Sequence, residues 1–461
     1  LVEQLESLDG LPHEERIGLA DLKALCDELD LQPAPARRTL PWMLHIERVL
    51  LGHWEDVDDG TVRCIYCGTA DVSRKGRTPR WKRYVDEQGK EQKIAVYRYY
   101  CHNPACEYQT FTNLSLHLIP YSKYTLQHHL AALQTYEWAH SVYRCTSQLL
   151  GVSKMTAYRW VSGFGHQLLP VAALFGAVRS SGVVGIDEKY VLVPKNDKPV
   201  ADRKRWMCVY LAVDAYTYDL LHIEIYPFNT KQSARAFLLA LRAKGYHRGV
   251  VVTDTRTDYR DIVAQVFPRA VHHECIFHAL QELREHAREA YGTSYADTRP
   301  EVKRLLKEID AILDARTKRT AQRRYQQVLA QREHFEAHNS QAKAIFDFLE
   351  RHWPFLINAV ESRVVPTTTN NAAEQVIRVF TQHYKTFCGF ESIQSARLYL
   401  GVFEKVYRFT PFSDDAQERI RGRCPLELAG YAVQKLPVAQ LFRGLALQWP
   451  TQAFRELVPN V

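Results

Sequence analysis

The sequence predicts an α/β protein whose mixed-sheet core is split by an all-α insertion and preceded by two small modules, one cysteine-rich and one helical. Three observations carry this. Residues 182–278 alternate short apolar strand patterns with amphipathic helices. Residues 279 to about 353 are helical in pattern and highly charged. Two close cysteine pairs, Cys64/Cys67 and Cys101/Cys106, stand in a basic, aromatic stretch upstream.

A chain of 461 residues with 46% hydrophobic content is long enough for several cores. Seven segments are expected. Residues 1–58 form an N-terminal helical segment with a Pro-rich break at 31–36, to which no chemistry is assigned. Residues 59–120 carry the cysteines, 121–175 are helical, and 180–278 form the first part of the core. The helical insertion spans 279–360, the second part of the core 361–412, and a tail 413–461. Within the core, strands are expected at 182–193, 205–214, 220–226, up to 254 and near 271–276, with helices at 230–244 and 257–266.

The net charge of +8 permits a polyanionic partner without demanding one. No apolar run is long enough for a membrane span, and the acidic, amphipathic start is no signal peptide. Lacking an initiating Met, the chain is expected to be trimmed there. Ten cysteines in so long a chain make no disulfide framework, and four at metal spacing point to a reducing, intracellular setting.

Cys64, Cys67, Cys101 and Cys106 make two knuckles around a strand-like hairpin. Four thiolates bind one structural Zn²⁺ tetrahedrally, so a zinc ribbon is expected; four unrelated buried cysteines are the alternative. His102 is a spare ligand. Between the knuckles, Arg74, Lys75, Arg77, Arg80, Lys82 and Arg83 flank Trp81 without an acid among them. Such a run neutralises phosphates while the indole packs on sugar or base; a solvated hairpin tip is the plainer reading.

Residues 141–150 read as one helix, 151–153 as a Gly-containing turn with Ser153 as N-cap, and 154–161 as a second helix. Helix, turn, helix is a DNA-reading arrangement, although many helical hairpins look alike. Lys154, Thr156, Tyr158 and Arg159 are the outward candidates; Met155, Trp160 and Val161 are expected to pack.

Three acids occupy distinctive places. Asp187 interrupts a strand that is apolar on both sides, where an unpaired carboxylate is costly unless a cation offsets it. Asp254 ends an apolar strand, where it is either a site residue or a cap for the next helix. Glu374 opens a helix behind Asn370 and Asn371, as site residue or capping glutamate. Converged, the three suit two Mg²⁺ (or Mn²⁺) about 3.5–4 Å apart, which drive phosphoryl transfer on nucleic acid.

These segments resemble the DDE transposases of bacterial insertion sequences. The resemblance implies a ribonuclease-H-like catalytic core with Asp187 on its first strand, Asp254 after its fourth and Glu374 on a later helix. About 120 residues separate Asp254 from Glu374, so an insertion is implied. Cys275 and His278 look like the Cys-x-x-His element of Mutator-like transposases, which also carry a helical insertion; they imply active-site support. Asn371 and Arg378, with Lys385 and residues 389–392, are similar to the stretch that surrounds metal and DNA end in insertion-sequence transposases. Asn371, Arg378 and Lys385 are thus candidate phosphate ligands. The resemblance covers about residues 60–410, and the long cysteine hairpin and first 53 residues depart from it. The basic run Arg316, Lys318, Arg319, Arg323 and Arg324 reads as a solvated helix face that could also grip flanking DNA.

What the resemblance implies is a cytoplasmic, nucleoid-associated bacterial enzyme acting on double-stranded DNA. It would bind terminal inverted repeats, cleave at the element ends and transfer the 3′-OH ends to target DNA, as a homodimer or larger assembly. A non-catalytic DNA-binding regulator, such as a domesticated transposase, is the rival, and a nuclease on the same fold a nearer one.

Overall fold

The computed structural model describes residues 62, 64, 69–86, 88–106, 109–113, 123–163, 178–194, 206–246, 249–315, 317–359 and 370–431. The helical segment expected at 1–58, Cys67 and residues 432–461 of the tail lie outside them.

The first module is a small antiparallel sheet of β1 (Val72–Arg74), β2 (Arg80–Val85), β3 (Glu91–Cys101) and β4 (Thr110–Asn113). The long β3 pairs with all three others. The β2–β3 turn is closed by Asp86, whose carboxylate accepts from the backbone N–H of Gln88 and Lys90, while Gly89 takes φ +78°. Its core is minimal: Cys64, Cys101 and Phe111, with Tyr99 stacked on Phe111 at 5.7 Å.

Three helices follow: α1 (Leu126–Glu137), α2 (Tyr143–Leu149) and α3 (Lys154–Gly163). Gly151 takes φ +63° in the α2–α3 turn, and Ser153 Oγ accepts from Thr156 N–H at 3.1 Å, the expected cap. Trp160 and Val161 are buried as expected, but Met155 is 55% exposed. The reason is helical phase: Ala157, Trp160 and Val161 form the inward face, and Met155 falls outside it. Tyr136 of α1 stacks on Tyr143 and meets His383 edge-on, so these helices share a core with the central sheet.

The central sheet has the order β7-β6-β5-β8-β9. Antiparallel β5 (Val183–Leu192), β6 (Trp206–Asp214) and β7 (Leu220–Tyr226) come first. Helix α4 (Lys231–Ala243) then crosses over to β8 (Val250–Thr253), and α5 (Asp258–Val266) to β9 (Val271–Glu274). Both of these strands run parallel to β5. Burial on both faces explains the near-continuous apolar run of β6. Three antiparallel strands followed by two parallel ones, first strand central, make a ribonuclease-H-like mixed sheet.

Helix α6 (Ile276–Tyr291) leaves β9 and opens the insertion, starting earlier than residue 279. It continues through α7 (Tyr295–Thr298), α8 (Pro300–Leu313), α9 (Lys318–Leu329), α10 (Arg332–His338) and α11 (Lys343–Leu356), around an apolar core of its own. A buried polar joint ties it to the sheet. Glu274, closing β9, accepts from Arg260 Nε at 2.8 Å and lies 2.5 Å from His352 Nδ1 on α11. The chain returns in α12 (Asn371–Phe387) and α13 (Ile393–Phe409), then a short α14 (Pro425–Leu428). The described part of the second core segment is thus two long helices and a break. Cys388 ends α12 at φ +54°, and Ser392 caps α13.

Candidate active site

The placement of α12 follows from one missing side chain. Gly185 precedes Asp187 by two residues on β5, so both positions face the same side of the sheet. A Cβ on Gly185 would lie 2.1 Å from Asn370 Oδ1. Asn370 fills that space: its Nδ2 donates to Ile186 O at 2.7 Å and its backbone N–H to Cys275 Sγ at 3.3 Å. One turn on, Glu374 N–H donates to Asn370 O at 3.1 Å. The helix start is thereby fixed on the face that carries Asp187.

Register brings the aspartates together. Gly185 pairs with Val252 in the parallel β5–β8 ladder. Asp187 and Asp254 each lie two residues further on, so they emerge side by side where β8 ends. Burial pushes Asp187 up to about 6; Glu188 N–H at 2.8 Å and His278 oppose this, and Asp254 and Glu374 reinforce it. Burial also raises Asp254, against Arg256, whose N–H it accepts at 3.1 Å. His278 is pushed up to about 9, first by the Cys275 side chain and further by Asp187 and Glu374, against desolvation. Ligand atoms of Cys275, His278 and Glu374 lie within 4.8 Å of one another. Glu374 Oε1, Asn370 Oδ1 and His278 Nδ1 are buried without a hydrogen-bond partner. Buried acceptor oxygens lacking donors, beside two further carboxylates, fit an oxygen-seeking divalent cation.

The opposite face differs. Glu188 turns away from Asp187, and its Oε1 accepts from Arg256 Nη1 at 3.0 Å and Tyr259 OH at 2.5 Å. Arg256 also reaches Asn229, which donates to Tyr190 OH at 3.0 Å. Burial raises Glu188 to about 8, reinforced by Asp254 and Asp187, and Tyr259 and Arg256 hold it down.

The buried contacts at the helix start are made by Asn370; Asn371, the candidate phosphate ligand, is exposed at the first position of α12. Asn371, Glu374, Arg378 and Lys385 are spaced so that they fall within about 60° of one line along the helix. Arg378 and Lys385 are exposed, giving a polar stripe that starts at the acids. Gly185, Asn370, Glu188 and Arg256 were not singled out in the sequence. An Asp-Glu doublet on a strand signals two faces, and only contacts tell which asparagine of a doublet turns inward.

In the upstream module, Cys64, Cys101 and Cys106 converge, with their sulfurs within 4.8 Å and Cys64 Sγ to Cys106 Sγ at 3.8 Å. The edge of a tetrahedral zinc–thiolate site is about 3.8 Å. His102 instead meets Ser73 Oγ at 2.8 Å. Arg74, Lys75, Arg77, Arg80, Trp81 and Arg83 are exposed, and Lys82 is half-buried with its pKa pulled down by burial. Cations lie over rings here: Arg74 over Tyr97 at 3.7 Å, Lys75 over Tyr100 and Lys93 over Trp81 at 4.6 Å each. On α3, Lys154 and Arg159 are exposed, while Thr156 bonds Ser153 and Tyr158 stands edge-on to Tyr143. In the insertion Lys318, Arg319 and Arg323 are exposed, whereas Arg324 bonds Ala311 O. No helix among the described residues is long and apolar enough to cross a membrane.

A ribonuclease-H-like sheet with one acid within its first strand and another just after its fourth, and a further acid on a helix after an insertion, is the arrangement of the DDE class of transposases. The family described as "Transposase IS66 family" matches residues 127–398. The chain belongs to the IS66 family of DDE transposases, enzymes that act on DNA and use divalent metals. Among curated proteins no sequence matches it. Among solved structures, it is similar to the Drosophila P element transposase strand transfer complex, at 11% identity over 70% of this chain and 91% of that one, with a TM-score of 0.26.

Proposed function

We propose that Asp187, Asp254 and Glu374 are the catalytic, metal-holding residues of this transposase, and that it cleaves DNA at the element ends and transfers the 3′-OH ends to target DNA. The observation that carries this is the Gly185–Asn370 contact, which sets the start of α12 against the face where two aspartates share a register. Asp187, Asp254 and Glu374 would hold two Mg²⁺ (or Mn²⁺), which when bound would supply an activated nucleophile and neutralise charge developing on the phosphate. The chain's own contribution is placement. Buried walls keep the carboxylates in a low-dielectric site, where their attraction for cations is strong. His278 balances their charge, and Asn370 and Cys275 hold the helix that carries Glu374. The stripe Asn371, Arg378 and Lys385 then lies along the path of the bound phosphates.

Upstream, Cys64, Cys101 and Cys106, with Cys67 as fourth ligand, hold one structural Zn²⁺ in a zinc ribbon whose basic, aromatic strands grip DNA. Helices α2 and α3 form a helix-turn-helix that presents Lys154, Thr156, Tyr158 and Arg159 to the terminal inverted repeats. Joining two ends requires a homodimer or larger assembly. The test is nicking and strand transfer on DNA carrying the element's ends with Mg²⁺. Separate Asp187→Ala, Asp254→Ala and Glu374→Ala variants should each abolish both products. Nicking by all three variants at the wild-type rate overturns the assignment.

A further inference from the structure

We propose that Cys275, His278 and Glu374 form a second transition-metal site, selective for Zn²⁺ over Mg²⁺, whose occupation withdraws Glu374 from the catalytic carboxylates. The donors converge from two directions. Cys275 is the N-cap of α6 and His278 lies in that helix's first turn, so the two side chains share one end of the helix. Glu374 arrives from α12, and all three ligand atoms lie within 4.8 Å of one another. In a tetrahedral zinc site with sulfur, nitrogen and oxygen ligands, neighbouring donors stand about 3.3–3.5 Å apart.

Two further observations point to a ligand there. Glu374 Oε1 and His278 Nδ1 are both buried and without a hydrogen-bond partner, so neither atom is committed elsewhere among the described residues. The Cys275 sulfur accepts the backbone N–H of Asn370 at 3.3 Å, which fixes it at the start of α12, the helix that carries Glu374. The donor set then decides the ion. Mg²⁺ takes oxygen ligands in near-octahedral geometry and gains nothing from a thiolate or an imidazole. Zn²⁺ takes all three. The same carboxylate thus acts electrostatically on Asp187 and lies within reach of a soft pair. Metal binding stands on this geometry alone; the loss of activity that follows rests on the role proposed above for Glu374.

The experiment uses the full chain, reconstituted with Zn²⁺ or with Co²⁺ as a spectroscopic substitute, as wild type and as His278→Gln and Cys275→Ser. Wild type should bind about one more metal ion per chain than either variant and show stronger sulfur-to-cobalt charge-transfer absorption than Cys275→Ser. His278→Gln alters a half-exposed side chain and keeps the test alive if Cys275→Ser fails to fold. With Mg²⁺ fixed, nicking of end-containing plasmid, scaled to each variant's own zinc-free rate, should be inhibited by micromolar Zn²⁺ in wild type. It should need at least about tenfold more in His278→Gln. Equal metal content and equal cobalt spectra in wild type and both variants overturn the site. An extra zinc that leaves nicking untouched supports the site while breaking the reading of Glu374.

Discussion

Asp187 and Glu188 are neighbours on one strand, both raised by burial and by Asp254, yet they are bonded to different partners. Glu188 bonds a guanidinium and a phenol, which oppose the upward push of burial and Asp254. Asp187 faces other carboxylates and a histidine, with no arginine or lysine bonded to it among the described residues. A buried acid that the protein has already neutralised stabilises or orients its surroundings; one left without a counter-charge stores affinity for a cation. The sheet separates the two tasks by nothing more than strand alternation.

The sharpest way to break this comparison is to remove each acid's charge. Asp187→Asn should cut Mg²⁺-dependent nicking about a thousandfold or more, about 4 kcal/mol of barrier. Its melting temperature in EDTA should not fall. A rate within tenfold of wild type would end the distinction. On the opposite face, Arg256→Met strands Glu188 without its partner and should destabilise by about 3 kcal/mol in denaturant titration. Adding Glu188→Gln should recover a good part of that loss; a double variant no more stable than Arg256→Met would show that the pair does not act as one. Gly185→Ala drives a methyl into Asn370 and should cost about 2 kcal/mol, with nicking falling as α12 shifts. Unchanged stability and rate would mean the clamp is dispensable.

The smallest effect is in pH. Asp187 is pushed up to about 6, so between about pH 4 and 6 the metal-free fold binds more protons than the unfolded chain. Stability in EDTA should therefore fall as pH rises through that window, by about 1–2 kcal/mol. In Asp187→Asn the slope should be flatter, and saturating Mg²⁺ should flatten it in wild type. Equal slopes in wild type and variant would show that Asp187 ionises there as freely as in water.

The strand order and the places of Asp187, Asp254 and Glu374 were legible because each depends on local periodicity: apolar runs, their ends and a helix start. The insertion was legible as charged amphipathic helices between Asp254 and Glu374. What stayed hidden depends on contacts across the chain. The inward turn of Asn370 rather than Asn371 needs Gly185, which lies far away in sequence. The break at Cys388 needs a left-handed residue that carries no glycine signature. Arg256 looks like any charged residue at a helix start until Glu188 and Asn229 close on it. Met155 read as apolar and therefore inward, but a short helix has few inward positions, and Trp160 and Val161 take them.

The contact between Cys275 and Asn370 spans 95 residues of sequence and 3.3 Å of space. The whole helical insertion thus leaves the sheet and comes back at one doorway. A detour that begins and ends at the same point sets no distance between the elements it joins. Lengthening it costs only the slowly growing entropy of a larger loop. The insertion can therefore be enlarged, exchanged or decorated with new surfaces while the acids stay where they are. It is an accessory bay on an unchanged chassis, free to diverge at a pace the sheet cannot follow.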